Sequence, residues 1–161
     1  LLRLRELQVE TGGFTEFVPL PFVHMEAPVY RRGMARPGPT WRETMLMHAV
    51  ARLVLGPVLH NIQVSWTKLG TAGAARILQA GANDLGGTLM NESISRAAGS
   101  SFGQELPPES MDALIESIGR RLQQRTTVYS MLPAERIAQS YQATPLEALQ
   151  FRSAREYRAG H

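Results

Sequence analysis

Short β-prone runs alternate with helical stretches along this chain, and that alternation limits the fold more than any other feature. Leu1 to Glu10 carries apolar residues at 1, 4 and 7 with charged ones between, the pattern of an amphipathic helix, and Thr11-Gly12-Gly13 stops it. Phe14, Thr15, Phe17 and Val18 favour a strand, whose ladder Pro19 and Pro21 end. Residues 22 to 39 contain Pro28, Gly33, Pro37, Gly38 and Pro39 and read as a long loop. Thr40-Trp41-Arg42-Glu43 fits a capping box. The helix it opens is expected to bury Met45, Ala49, Val50, Leu53 and Val54 and to end near Gly56-Pro57. "NIQVSW" (61 to 66) reads as a strand, Thr71 to Gly81 as a small-residue helix, and "ANDLGGTL" as the next strand. "ESISRAAG" is a short helix, and "PPESMDALIESIGRRL" is a longer one with Met111, Leu114, Ile115, Ile118 and Leu122 at helical spacing. "RTTVYSM" is expected to be a last strand.

Strands that alternate with helices predict parallel pairing through crossover helices. Four strands cannot close an eight-stranded barrel. The expected fold is therefore α/β, the C-terminal half of a larger β/α barrel. The chain opens on Leu inside a helical pattern, so a truncated start is expected. Residues 1–130 are expected to form the barrel part, and 131–161 a helical or partly disordered tail that includes the weak pattern "ATPLEALQFRSAREY".

Composition narrows the function classes. With 43% hydrophobic and 19% charged residues, the 161-residue chain should form a packed core. The longest apolar patch, "MLMHAVARLVLGPVL", is broken by His48, Arg52, Gly56 and Pro57, so no membrane span or membrane partner is expected. No signal peptide is visible. A count of zero cysteines removes disulfides and thiolate metal sites from this chain. His24, His48 and His60 lie far apart and His161 is terminal, without the spacing of a local zinc site. The net charge is +3, but the arginines are dispersed among acids without interleaved aromatics, so no nucleic-acid partner is expected.

Ligand sites in β/α barrels lie at the carboxyl ends of the strands. On "NIQVSW", Asn61, Gln63 and Ser65 share one face at period two, and Ile62, Val64 and Trp66 the other. An apolar face under helices would turn the polar face into the barrel. Asp84, Thr88, Asn91 and Glu92 follow in "GANDLGGTLMNESISRAAGS", and Glu16 lies within the first strand. The structural alternative for each is a turn, a cap or, for Glu92, an i,i+4 pair with Arg96. "GANDLGG" is not a dinucleotide fingerprint, no P-loop follows it, and no G-x-S-x-G elbow exists. The Met-rich "MLMHAV" reads as core packing.

"RELQVETGGFTEFVPLPFVHMEAPVY", "NIQVSWTKLG", "AGANDLGGTLMNESISRAAG" and "QRTTVY" together resemble the C-terminal half of the radical S-adenosylmethionine enzymes of deazaflavin biosynthesis. The match is to the FO synthase subunit 2 type, either free-standing or as the C-terminal module of a bifunctional FO synthase. The resemblance runs from Leu1 to Tyr129, and Phe102 departs from it where a histidine is expected. It implies a radical SAM partial TIM-type (β/α) barrel, S-adenosyl-L-methionine, and a 4Fe-4S cluster held by a CxxxCxxC loop that this chain lacks. The implied activity is an aryl or alkyl transfer in the precursor pathway of coenzyme F-420. A 5′-deoxyadenosyl radical abstracts hydrogen from tyrosine, and the resulting 4-hydroxybenzyl group joins 5-amino-6-(D-ribitylamino)uracil.

The resemblance also implies a cytoplasmic setting, an electron donor such as flavodoxin or ferredoxin, and a fused or separate FO synthase subunit 1. On it, Asp84 and Glu92 are the candidate acid–base groups. Asn61, Gln63, Ser65, Thr88 and Asn91 are the candidate substrate contacts, and Glu16 reaches toward the adenosylmethionine. By itself, the chain is expected to be inactive. Two alternatives stand beside this reading: a futalosine-pathway enzyme of menaquinone synthesis, which shares "GADD"-like and "QASW"-like segments, and a noncatalytic β/α scaffold fragment.

Overall fold

The structure, a computed structural model, describes residues 1–89 and 91–147. Its helices are α1 (Leu2–Thr11), α2 (Pro28–Arg31), α3 (Trp41–Leu55), α4 (Trp66–Gln79), α5 (Ile94–Ala97), α6 (Pro108–Ser117) and α7 (Ala134–Ser140). The expected strands do not form regular strands among the described residues. Three extended segments instead meet at isolated parallel bridges, Phe17 with Ile62 and Gln63 with Asp84. Proline explains part of the shortfall, since Pro19 and Pro21 have no N–H to continue a ladder beyond Phe17. The fourth expected strand is a tight loop. Arg125 bridges Met131 antiparallel, the Thr126 N–H donates to the Ser130 carbonyl at 2.9 Å, and Tyr129 has a φ of 60°. A turn with a left-handed residue cannot be a strand.

α1 ends as its glycine predicts, with Gly12 at φ 60° capping the helix. Gln8 then secures the chain reversal: its side-chain amide donates to the Phe14 carbonyl at 3.0 Å and accepts from the Phe14 N–H at 2.8 Å. The long loop includes α2, begun by Pro28 at its first helical position. The capping box of α3 is formed on both sides, Glu43 N–H to the Thr40 hydroxyl at 3.2 Å and Thr40 N–H to the Glu43 carboxylate at 2.7 Å. These bonds hold the Glu43 carboxyl below its usual range, the backbone bond to Thr40 first and the one to Arg36 next.

The buried face of α3 differs from expectation. Thr44, His48, Ala51 and Leu55 are buried, whereas Val50 is exposed and Leu53 is 78% exposed. Leu46 and Met47 are exposed too, so "MLMHAV" packs inward mainly through His48, with Met45 at the core's margin. The expectation followed the most apolar stripe. The helix instead turns its smaller and polar residues toward the bridged segments, where backbones approach closely.

α4 begins at Trp66, earlier than the expected Thr71, and is kinked at Gly70 (φ 68°, ψ 174°). A Cβ on Gly70 would lie 2.7 Å from the Phe102 ring. The core consists chiefly of Ala51, Leu55, Ile62, Val64, Ala74 and Ile77, all fully buried. α6 adds Met111 and Ile115 from its expected apolar stripe, with Leu114, Ile118 and Leu122 at the margin.

Arg52, near the end of α3, braces two extended segments from below. Its guanidinium donates at 2.7 Å to the Gly81 carbonyl, the His60 carbonyl and Asn83 Oδ1. Asn83 Oδ1 also accepts from the Ile62 N–H at 2.9 Å. Among the described residues no helix is long and apolar enough to cross a membrane. Of the expected tail, α7 lies within the described residues, and the stretch 148–161 lies outside them.

Candidate active site

The bridged segments set side chains on two faces. Ile62 and Val64 are fully buried in the core, while Asn61 and Gln63 turn the other way. That is the alternation a strand imposes, and it holds although only single bridges form. Asn61 and Gln63 line a cleft of about 870 Å³ together with Glu16, Asp84 and Thr88. The loop of Arg125 and Tyr129 forms its opposite wall.

Asp84 is held on both oxygens. Its Oδ1 accepts from the Gly86 N–H at 2.7 Å, and its Oδ2 from Arg125 Nε at 2.5 Å. Glu16 Oε2 accepts from the Tyr129 hydroxyl at 2.9 Å and lies 3.6 Å from an Arg125 terminal nitrogen. The Arg125 guanidinium stands 3.9 Å from the centre of the Tyr129 ring. Burial works against the Arg125 charge, but the hydrogen bond and charge of Asp84 raise its pKa overall. Burial, then the bond to Glu16, pushes the Tyr129 phenol well above its usual range, so it remains a proton donor.

Gln63 differs from its neighbours. Its half-buried carboxamide has no hydrogen-bond partner among the described residues, and a Cβ on Gly86 (φ 79°) would stand 2.7 Å from its Nε2. Glycine at 86 therefore leaves room for that amide beside Asp84. Asn61 donates to the Thr15 carbonyl at 2.8 Å and also lines the cleft.

The remaining candidates lie off this cleft. Ser65 is buried before α4, with its hydroxyl 3.0 Å from that of Thr67. Asn91, at φ 63°, accepts from an Arg96 terminal nitrogen at 2.9 Å. Glu92 accepts from the Ser95 N–H on both oxygens, at 3.0 and 3.2 Å, ahead of α5. Arg96 reaches the Glu92 carbonyl rather than its carboxylate, at 2.7 Å. A smaller cleft of about 230 Å³ lies beside Lys68, Trp41 and Phe102, and Phe102 makes part of its wall apolar.

Reasoning from sequence missed Arg125 and Tyr129, which it placed in a strand. Their four-residue spacing carries no signal for a pairing with Glu16 and Asp84. The chain has no cysteine, and among the described residues no group of three or more His, Cys, Asp or Glu is placed to hold a metal ion. The residues present therefore do not fit an iron–sulfur cluster.

Residues 11–137 match the family described as the CofH/MqnC C-terminal region. The chain is 56% identical over 133 residues to an FO synthase of Streptomyces avermitilis, covering 83% of this chain and 15% of that protein. It is 58% identical over 127 residues to the 5-amino-6-(D-ribitylamino)uracil–L-tyrosine 4-hydroxyphenyl transferase of Methanopyrus kandleri, covering 79% and 34% respectively. An FO synthase of Mycobacterium leprae is 53% identical over 128 residues, covering 80% and 15%. The chain thus spans between about a sixth and a third of the length of these curated relatives.

Proposed function

The chain belongs to the family of CofH/MqnC C-terminal regions, and from that membership we propose that it is the C-terminal part of a radical S-adenosylmethionine transferase. The activity is the joining of the 4-hydroxybenzyl group of tyrosine to 5-amino-6-(D-ribitylamino)uracil. The names of the relatives from Streptomyces, Methanopyrus and Mycobacterium support this reading. Two parallel bridges between segments joined through helices support a half-barrel, and the division into a barrel part over 1–130 and a tail over 131–161 belongs to the same proposal. A cytoplasmic setting, an electron donor such as flavodoxin or ferredoxin, and an FO synthase subunit 1 belong to the same proposal.

Bound adenosylmethionine supplies the hydrogen-abstracting chemistry. This chain supplies no cysteine ligand to the cluster. This chain's part is to bind, orient and exclude water. The observation that carries the proposal is the Gln63 carboxamide, which lines the cleft between Asn61 and Asp84 without a hydrogen-bond partner among the described residues. A half-buried amide left unpaired by the protein is suited to a ligand rich in donors and acceptors, such as a uracil ring with its ribityl chain. Asn61, Thr88 and Asp84 complete that wall, and Glu16 lies toward the adenosylmethionine. Ser65, Asn91 and Glu92 act from the adjoining turns, with Glu92 kept as the second acid–base candidate.

The test is Gln63→Ala in the parent enzyme that carries this chain. Adduct formation per folded molecule should fall about 10-fold or more, for a lost contact of about 1–3 kcal/mol, while 5′-deoxyadenosine release continues. Unchanged adduct formation with lowered thermal stability refutes the site. The family description also joins a second enzyme type. A parent that makes no adduct from tyrosine and the aminouracil, but acts on a futalosine-type substrate, would establish that reading instead.

A further inference from the structure

We propose that Arg125 is a positioning residue for this reaction, and that it fixes the two carboxylates of the cleft, Asp84 for contact with substrate and Glu16 on the adenosylmethionine side. The proposal rests on the transferase reading above and assigns a role to a residue outside the candidate set.

Arg125 is presented from a closed turn. It bridges Met131, the Thr126 N–H donates to the Ser130 carbonyl at 2.9 Å, and the Ser130 N–H donates to the Thr126 hydroxyl at 3.0 Å. From that turn the guanidinium is constrained in four directions. Nε meets Asp84 at 2.5 Å, one terminal nitrogen meets the Thr126 carbonyl at 3.0 Å, and the other approaches Glu16 at 3.6 Å. The Tyr129 ring covers one face. A planar fork with donors in fixed directions can hold two carboxylates at once, and an ammonium cannot reproduce that geometry.

The arrangement leaves specific atoms unused. Tyr129 occupies Oε2 of Glu16, and Oε1 accepts no hydrogen bond among the described residues. Gly86 and Arg125 each take one oxygen of Asp84, so its carboxylate plane is fixed while further lone pairs stay open. Two carboxylates against one guanidinium give this cluster a net charge of −1, while Arg120 and Arg121 line the cleft elsewhere. Such a cluster accepts hydrogen bonds from amino groups and hydroxyls, and both occur on the aminouracil and on tyrosine. The pair lies on the cleft wall, where Arg125 keeps 26% of its side chain exposed and Glu16 35%, so the cluster is open to a bound molecule.

The experiment uses the full-length parent enzyme with Arg125→Lys, Asp84→Asn, the double variant, and Tyr129→Phe. Adduct and 5′-deoxyadenosine are measured separately. Arg125→Lys keeps the charge and loses the fork. It should reduce adduct per 5′-deoxyadenosine by about 100-fold, the scale of an ångström of misplacement, with 5′-deoxyadenosine release falling less than adduct formation. If Arg125 acts through Asp84, the double variant is no worse than the poorer single one. Tyr129→Phe keeps the ring over the guanidinium and frees Glu16, and should cost about tenfold in adduct. It carries the test if Arg125→Lys does not fold.

Wild-type coupling in Arg125→Lys, or in Tyr129→Phe should the lysine variant not fold, overturns the proposal. So do losses that multiply in the double variant. A wild-type parent that forms no adduct brings down the transferase reading and this proposal together. An active wild type with unaffected variants removes this proposal alone.

Discussion

Gly70→Ala should destabilise the chain more than any ordinary glycine replacement. Gly70 is buried and sits at φ 68°, ψ 174°, a backbone region that only glycine adopts without strain. Holding alanine there costs about 1–3 kcal/mol. The new methyl would also stand 2.7 Å from the Phe102 ring. That ring is 44% exposed and can swing outward, so the contact belongs at the low end of overpacking costs, about 1 kcal/mol. The sum is about 2–4 kcal/mol out of a total stability of about 5–15 kcal/mol. Urea unfolding should show the midpoint falling at unchanged slope, the sign of lost stability without a changed denatured state. The double variant Gly70→Ala/Phe102→Ala separates the two costs: removing the ring should return only about 1 kcal/mol of the loss. A loss below about 1 kcal/mol for Gly70→Ala refutes the strain argument, and so does complete rescue by Phe102→Ala.

Arg52→Met should cost about 2–3 kcal/mol because three acceptors lose a charged donor; Arg52→Lys should fail to restore it, since one ammonium cannot reach all three, and full rescue by lysine in urea unfolding contradicts the brace. Burial lowers the His48 pKa, outweighing its interactions with the Thr44 and Gln63 backbone, and its Nε2 has no partner within hydrogen-bond geometry among the described residues. The unfolded chain therefore takes the proton first, so stability is full above about pH 6.5 and falls below it by up to about 1.4 kcal/mol per pH unit. His48→Gln should flatten that slope between pH 7 and 5, and an identical slope in the variant would show that other groups cause it. Glu92→Gln keeps an acceptor for the Ser95 N–H and removes the charge. An acid–base role predicts a fall in adduct of about 100-fold in the parent enzyme, and a purely capping role predicts none.

The residues that sequence made legible are those whose signal is local. The alternation told which side of the segment meets the core over 61–64, where a strand fixes its faces by parity: Ile62 and Val64 are buried while Asn61 and Gln63 line the cleft, but it fails at Ser65, which is buried where α4 begins. The capping box at Thr40 and the stop at Gly12 are likewise set by neighbouring atoms. α3 was misjudged because its apolar residues form more than one stripe, and hydrophobicity alone does not say which stripe packs. Leu53 lies outward and His48 inward. The kink at Gly70 was invisible since a glycine permits a left-handed backbone without announcing it. The partnership of Arg125 with Asp84 depends on two segments that no local pattern connects.

That partnership bears on the order in which the molecule assembles. Arg125 meets Asp84 across 41 residues, and Tyr129 meets Glu16 across 113. The entropy of closing the longer loop exceeds that of the shorter by about 0.9 kcal/mol. Contacts this distant slow folding, and helices with local bonds such as α3 and α4 form well before them. Asp84 and Arg125 should come together first, and the Tyr129–Glu16 bond should close last, joining the start of the chain to its final third. The carboxylate cluster of the cleft would then be the latest part of the structure to acquire its geometry, and a protein stalled short of that closure would have a formed core and an open cleft.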